Sequence, residues 1–119
     1  MNKLRGYTEV VIGGKKRPVK FGVNQTIIFC QYREITLAEY ALLFNVEKMI
    51  AKEVDGSEIR DLLWSAFSDG ARYKKQAFDK SPADVGDWID EDKTGAVEKA
   101  FSAMIERVKG DLEDEAKKK

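Results

Sequence analysis

The sequence has no histidine, one cysteine (Cys30) and two prolines among 119 residues. Without histidine the commonest general base and the commonest metal ligand are both missing. A single cysteine excludes an intrachain disulfide and a thiolate zinc cluster, and it fits a reducing compartment. The N-terminal MNKLRGYTEV lacks the apolar stretch of a signal peptide, and no run approaches the ~18 apolar residues of a membrane span. Net charge of one sign is absent too: 21 Lys+Arg balance 21 Asp+Glu, which argues against a dedicated nucleic-acid binder.

That balance conceals a gradient. Residues 1–40 carry seven basic and three acidic groups (+4), residues 41–78 six of each, and residues 79–119 eight basic and twelve acidic (−4). Such a layout suits head-to-tail association, although small domains also distribute charge unevenly. With 43% hydrophobic and 35% charged residues the chain is globular, and its length gives one domain with a core that needs no staple.

Thr8–Phe21 reads as a β-hairpin. Val10, Val11 and Ile12 suit a pleated surface, and Gly13-Gly14 supplies the positive φ of a tight turn. Pro18 cannot donate to a ladder, so the second arm is an edge. An isolated hairpin is marginal in water, so it is expected to pair with another subunit's edge. Gly22 then ends the strand. Asn24 caps a helix through Ile27, Ile28, Phe29 and Cys30, apolar enough in its middle to be buried. Cys30 there is a small core hydrophobe, since no histidine exists to activate a thiolate.

Thr36-Leu-Ala-Glu39 is a capping box, and Leu37, Tyr40, Ala41 and Phe44 follow at helical spacing. Val46, Met49, Ile50 and Val54 continue an apolar stripe, as one bent helix or as two. The next helix starts at Ser57 with the stripe Ile59, Leu62, Leu63, Ala66 and Phe67; Asp61 and Ser65 lie off it, Asp69-Gly70 reads as a C-terminal signal, and Ala71–Lys80 as a short helical extension followed by a loop. Trp64 either widens the buried face or belongs to a contact surface. Ser81-Pro-Ala-Asp84 opens another helix, with Val85, Trp88 and Ile89 as its apolar patch. Asp90-Glu-Asp92 lacks the ligand pattern of a calcium loop and reads as a solvated acidic loop. Thr94 caps the last helix, striped by Val97, Phe101, Met104, Ile105, Val108 and Leu112. The expected fold is mainly α with an N-terminal β-hairpin: hairpin 7–21, four to five helices in a core over 24–112, and a frayed charged tail at 113–119. Ile27, Phe29, Leu37, Phe44, Leu62, Leu63, Phe67, Trp88 and Phe101 are the expected core.

Catalysis needs convergent groups with tuned pKa values. No Gly-rich phosphate loop, nucleophile–base set or spaced metal ligands occur, so no enzyme activity, cofactor or metal is expected. An assembly or binding role is what remains. For it the stripe Phe101, Met104, Ile105, Val108 and Leu112, with Trp64, is the candidate partner-binding surface. The same stripe packed on Leu62, Leu63, Phe67 and Trp88 would simply complete the core.

Three segments together carry a family resemblance. They are Phe21-Gly-Val-Asn24 leading into an apolar helix and Ile35-Thr-Leu-Ala-Glu-Tyr40; then Ile59-Arg-Asp-Leu-Leu-Trp-Ser-Ala-Phe-Ser-Asp-Gly-Ala-Arg72; then Phe78 followed by Ser81-Pro-Ala-Asp-Val-Gly-Asp-Trp-Ile-Asp90. Over about residues 10–108 the chain resembles the tail assembly chaperones of long-tailed double-stranded DNA phages, of the prophage and gene-transfer-agent type. The resemblance implies a protein of the bacterial host cytoplasm that binds the tape measure protein, keeps it soluble, helps recruit tail tube protein and is absent from the mature virion. It implies self-association and neither nucleic acid nor membrane as partner. A structural tail or head–tail connector subunit retained in the virion is the alternative.

Overall fold

The computed structural model describes residues 5–45, 47–48 and 55–117, the last seven by their backbone alone. The stripe Val46, Met49, Ile50, Val54 and the side chain of Leu112 lie outside the described residues. An antiparallel hairpin of β1 (Tyr7–Ile12) and β2 (Lys15–Lys20) comes first. Among the described residues five helices follow: α1 (Val23–Arg33), α2 (Leu37–Leu43), α3 (Gly56–Tyr73), α4 (Pro82–Glu91) and α5 (Ala96–Lys117). The small α+β architecture expected from the sequence is therefore the observed one.

Ile12 pairs with Lys15 across a two-residue turn whose glycines have φ of +61° and +83°, the conformation that matches strand twist. Pro18 faces Glu9, two pairs beyond Val11↔Lys16. In this alternation it falls on a pair that exchanges no ladder bonds, so its missing N–H removes none. Val10, Ile12 and Val19 are buried, β2 packing on α3 and β1 on α5. The hairpin thus finds its cover within its own chain.

α3 is the central helix, touching β2, α1 and α4. Its position sharpens one reading and corrects another. The helix runs past Asp69-Gly70 to Tyr73, as the short extension expected there, and Gly70 is where the Pro18 and Val19 backbone of β2 comes closest. Asp61 and Ser65 are also buried, at 2% and 0% exposure, as is Asp69 at 0%. A helix with neighbours on several sides buries part of its polar face, and each such group then needs a partner. Asp61 accepts from Arg33 (Nη1, 2.7 Å) and Arg60 (Nε, 2.9 Å). Ser65 Oγ accepts from Gln25 Nε2 at 3.0 Å and donates to the Leu62 carbonyl. Asp69 Oδ1 accepts from Arg72 Nε at 2.6 Å. Its Oδ2 accepts no hydrogen bond among the described residues, with Lys20 Nζ at an ion-pair distance of 3.5 Å. This i, i+4, i+8 ladder ties α1 and β2 to α3.

The capping boxes at Thr36/Glu39 and Ser81/Asp84, with Pro82 in the first turn, stand as the sequence reads them. α1 is capped at Gly22 rather than Asn24. α5 reaches Lys117, past the expected start of a frayed tail, and Thr94 does not cap it. The Asp92 carboxylate does, accepting from the backbone N–H groups of Thr94, Ala96 and Val97 at 3.0–3.2 Å. The bond from Val97, then those from Thr94 and Ala96, hold the Asp92 pKa below the ordinary carboxylate value. A depressed folded-state pKa stabilises fully above the unfolded-state value and ceases to do so as pH falls through the folded one. Asp92→Ala should lower stability by about 1 kcal/mol near neutral pH, the usual loss of an N-cap. The gap to wild type should close in thermal melts at pH 2–3; a gap unchanged by acid would remove the charge from the cap.

The core confirms Phe29, Phe44, Leu62, Leu63, Phe67 and Trp88, and Phe101 packs half-buried at its margin. Ile27 and Leu37 do not belong to it: they are 47% and 69% exposed. α1 is only one-sidedly covered, with Gln25 and Phe29 facing inward, so its apolar middle is not the buried segment that its composition predicts.

Candidate protein-binding groove

α1 ends in a backbone device that sets up its outer face. Glu34 takes the left-handed conformation (φ 56°), and the N–H groups of Glu34 and Ile35 both reach the Cys30 carbonyl, the latter at 3.0 Å. This Schellman-type reversal usually employs glycine, because a side chain in that conformation costs about 1 kcal/mol. The Thr36/Glu39 capping box restarts the chain as α2 two residues later. Tyr40 and Phe44 of α2 then close on Phe29 with ring centroids 5.4 and 5.1 Å away. Gln25 Nε2 adds a long 3.4 Å bond to the Tyr40 hydroxyl. α2 is held against the inner side of α1, and the outer side is left open.

On that outer side lies a groove of about 360 Å³ lined by Ile27, Cys30, Gln31, Glu34, Ile35 and Leu37, with Thr26 at its edge. Its floor is apolar. Val23, one turn before Ile27, is 68% exposed and extends it. Among the described residues the exposed large hydrophobics are Val11, Val23, Ile27, Tyr32, Leu37, Leu42 and Tyr73. Five of these seven lie on α1 and α2. Of these, Ile27 and Leu37 line the groove and Val23 lies on the same face of α1, whereas Tyr32 is on the opposite face against Trp64. The Cys30 thiol contributes no reactivity: burial, then the Glu39 carboxylate, raises its pKa, so it stays protonated.

The stripe singled out on α5 lies elsewhere and is largely occupied. Ala96, Ala100, Ala103 and Met104 are buried, so the packed face is the alanine side, rotated by about one residue from the stripe that the sequence suggests. Small side chains let the helix come close to β1, a choice that hydrophobic periodicity weighs too lightly. Met104 belongs to the core, Phe101 packs against it, and Ile105 and Val108 are half-buried. Trp64 donates from Nε1 to the Lys80 carbonyl at 2.8 Å and meets the Tyr32 ring at 5.0 Å. It pins the 74–81 connection to α1 and α3 rather than standing free. The groove itself was not found from the sequence. Its signal lies in Ile27, Cys30 and Leu37, which the sequence presents as core residues.

A second concavity, of about 390 Å³, lies between the hairpin turn and the end of α4, lined by Gly13, Gly14, Trp88, Glu91, Asp92, Lys93 and Thr94. The Asp92 carboxylate there is engaged in capping. No three His, Cys, Asp or Glu residues that could hold a metal ion come together among the described residues. No helix among them is long and apolar enough to cross a membrane. Comparison with protein-family models, with curated proteins and with solved structures found no match.

Proposed function

We propose that this protein is a phage tail assembly chaperone that binds the tape measure protein through the α1–α2 groove. It keeps that long helical partner soluble and helps bring tail tube subunits to it in the host cytoplasm, and it does not remain in the virion. The observation that carries the reading is the open apolar groove between α1 and the start of α2, joined to the segment resemblance at residues 21–24, 35–40, 59–72 and 78–90. An amphipathic helix seated in an apolar groove is a recurrent way of binding a helical partner. The role is stoichiometric covering of apolar surface, with several copies along an extended target, and it involves no catalysis.

The test is co-expression with the tape measure protein encoded beside this chain's gene. The soluble fraction of the tape measure protein should rise, and a complex should survive purification. No complex and no gain in solubility would overturn the proposal. Mass spectrometry of purified particles separates the alternative: a connector or tail subunit would be present in them, and a chaperone would not.

A further inference from the structure

The charge around the groove specifies its occupant more narrowly. Among the described residues its lining contains no lysine or arginine. The single cation of α1, Arg33, is turned inward to Asp61 at 2.7 Å. Glu39 is occupied at the Thr36 cap, its Oε1 3.0 Å from the Thr36 N–H. Glu34 is the acid left over: exposed, lining the groove, and in no ion pair among the described residues.

Glu34 is also a poor choice for folding. It stands in the left-handed region, where glycine is favoured, and it places a negative charge at the negative end of the α1 dipole. Two unfavourable features at one surface position, with no intrachain contact in return, point to a requirement outside the chain.

We infer that the groove receives a partner helix about three turns long whose apolar stripe is flanked by a lysine or arginine that pairs with Glu34. Val23, Ile27 and Cys30 follow one another at i, i+4 and i+7 on one face of α1, and Glu34 stands just past the end of that helix, so the row from Val23 to Glu34 is about three turns long. Ile35 and Leu37 form the opposite wall. Among the described residues no strand borders the groove to accept an added strand, and a helix is the secondary structure that satisfies its own backbone while burying one face. The inference rests on the chaperone reading only for the statement that the helix belongs to the tape measure protein.

Two synthetic helical peptides of about 18 residues, sharing one leucine stripe and flanked either by lysines or by glutamates, test it by amide chemical-shift titration of the full chain. The lysine peptide should shift Ile27, Gln31, Glu34 and Leu37 and bind at least about tenfold more tightly than the glutamate peptide. Glu34→Gly should remove most of that preference while melting at or above the wild-type temperature. Glu34→Gln, which keeps the backbone conformation, should remove the preference without the gain in melting temperature. Equal affinity for the two peptides, shifts that map elsewhere, or concentration-dependent broadening of the same amides without peptide, the mark of a second copy in the groove, would each overturn it. Peptide docking without tape measure binding would sink the chaperone reading alone; tape measure binding unaffected by Leu37→Asp and Glu34→Gly would sink the groove alone.

Discussion

Gly70→Ala should destabilise the protein by about 3 kcal/mol, although alanine is the better helix former by about 1 kcal/mol. The reversal follows from where the residue stands. A Cβ at position 70 would sit on the Pro18 carbonyl oxygen, 2.5 Å from its carbon and 2.9 Å from the Val19 nitrogen. These are backbone atoms of a paired strand, and they cannot rotate away as a flexible side chain would. β2 would have to lift from α3, which opens the seam over Val19 and Phe67, both almost fully buried. For a chain of this size the loss corresponds to a drop in Tm of about 10 °C. Gly56→Ala is the control: at the first turn of the same helix a Cβ meets nothing within 4 Å, and the variant should melt at or slightly above wild type. If Gly70→Ala also melts at or above wild type by calorimetry, β2 does not lie on α3 as described.

Gly70 also shows why parts of this fold were legible in the sequence and others were not. Local signals were read correctly wherever the cause was local. Gly13-Gly14 makes its turn because two consecutive residues take positive φ. Thr36 with Glu39, and Ser81 with Asp84, cap helices because the bonding partners are three residues apart. Where the cause is a distant segment, the same residue types carry a different meaning. Asp-Gly near the end of an apolar stripe resembles a helix stop; here the glycine admits a strand that sits fifty residues away in the sequence, and the aspartate meets a lysine of that strand. Asp61 and Ser65 read as solvent-facing because amphipathic periodicity assumes one buried side, whereas α3 has several.

The groove was illegible for a related reason. Ile27 and Leu37 have the composition and spacing of core residues, and nothing local distinguishes an apolar side chain covered by its own chain from one left for a partner. The packing of α1 on α3, through Gln25–Ser65 and Arg33–Asp61, together with the closure of Tyr40 and Phe44 on Phe29, decides which side of α1 is covered. Glu34 is the exception. An acid directly after a helix, two residues before a new N-cap, is an unfavourable local choice, and such a conflict between local preference and global fold is a signal that a sequence can carry.

Trp88→Ala should have the largest effect of all on stability, about 4 kcal/mol, within the range for deleting a buried large aromatic. The indole meets Phe67 edge-on at 5.6 Å and 86°, bringing α4 onto α3. Its other role is at the hairpin. Gly13 lies so close that a Cβ there would overlap the ring, 2.6 Å from Nε1. The Arg17 guanidinium sits 4.0 Å from the ring centre. Arg17 is 8% exposed and forms no ion pair among the described residues. It donates from Nε to the Ile12 carbonyl at 3.0 Å and from Nη2 to the Gly13 carbonyl at 3.1 Å, clamping the turn. Burial alone lowers its pKa. The ring face therefore supplies the negative potential that a carboxylate would supply elsewhere. Removing the ring leaves a cavity and a buried cation that has lost one of its three partners. If that account holds, Arg17→Met should be much less damaging in a Trp88→Ala background than in wild type, with a coupling of about 1 kcal/mol in a double-mutant cycle. Trp88→Phe, which keeps an aromatic face, should retain part of the coupling. Additivity of Arg17→Met and Trp88→Ala within about 0.3 kcal/mol would show that the two side chains are neighbours without being partners, and that the carbonyls of Ile12 and Gly13 suffice to hold the guanidinium.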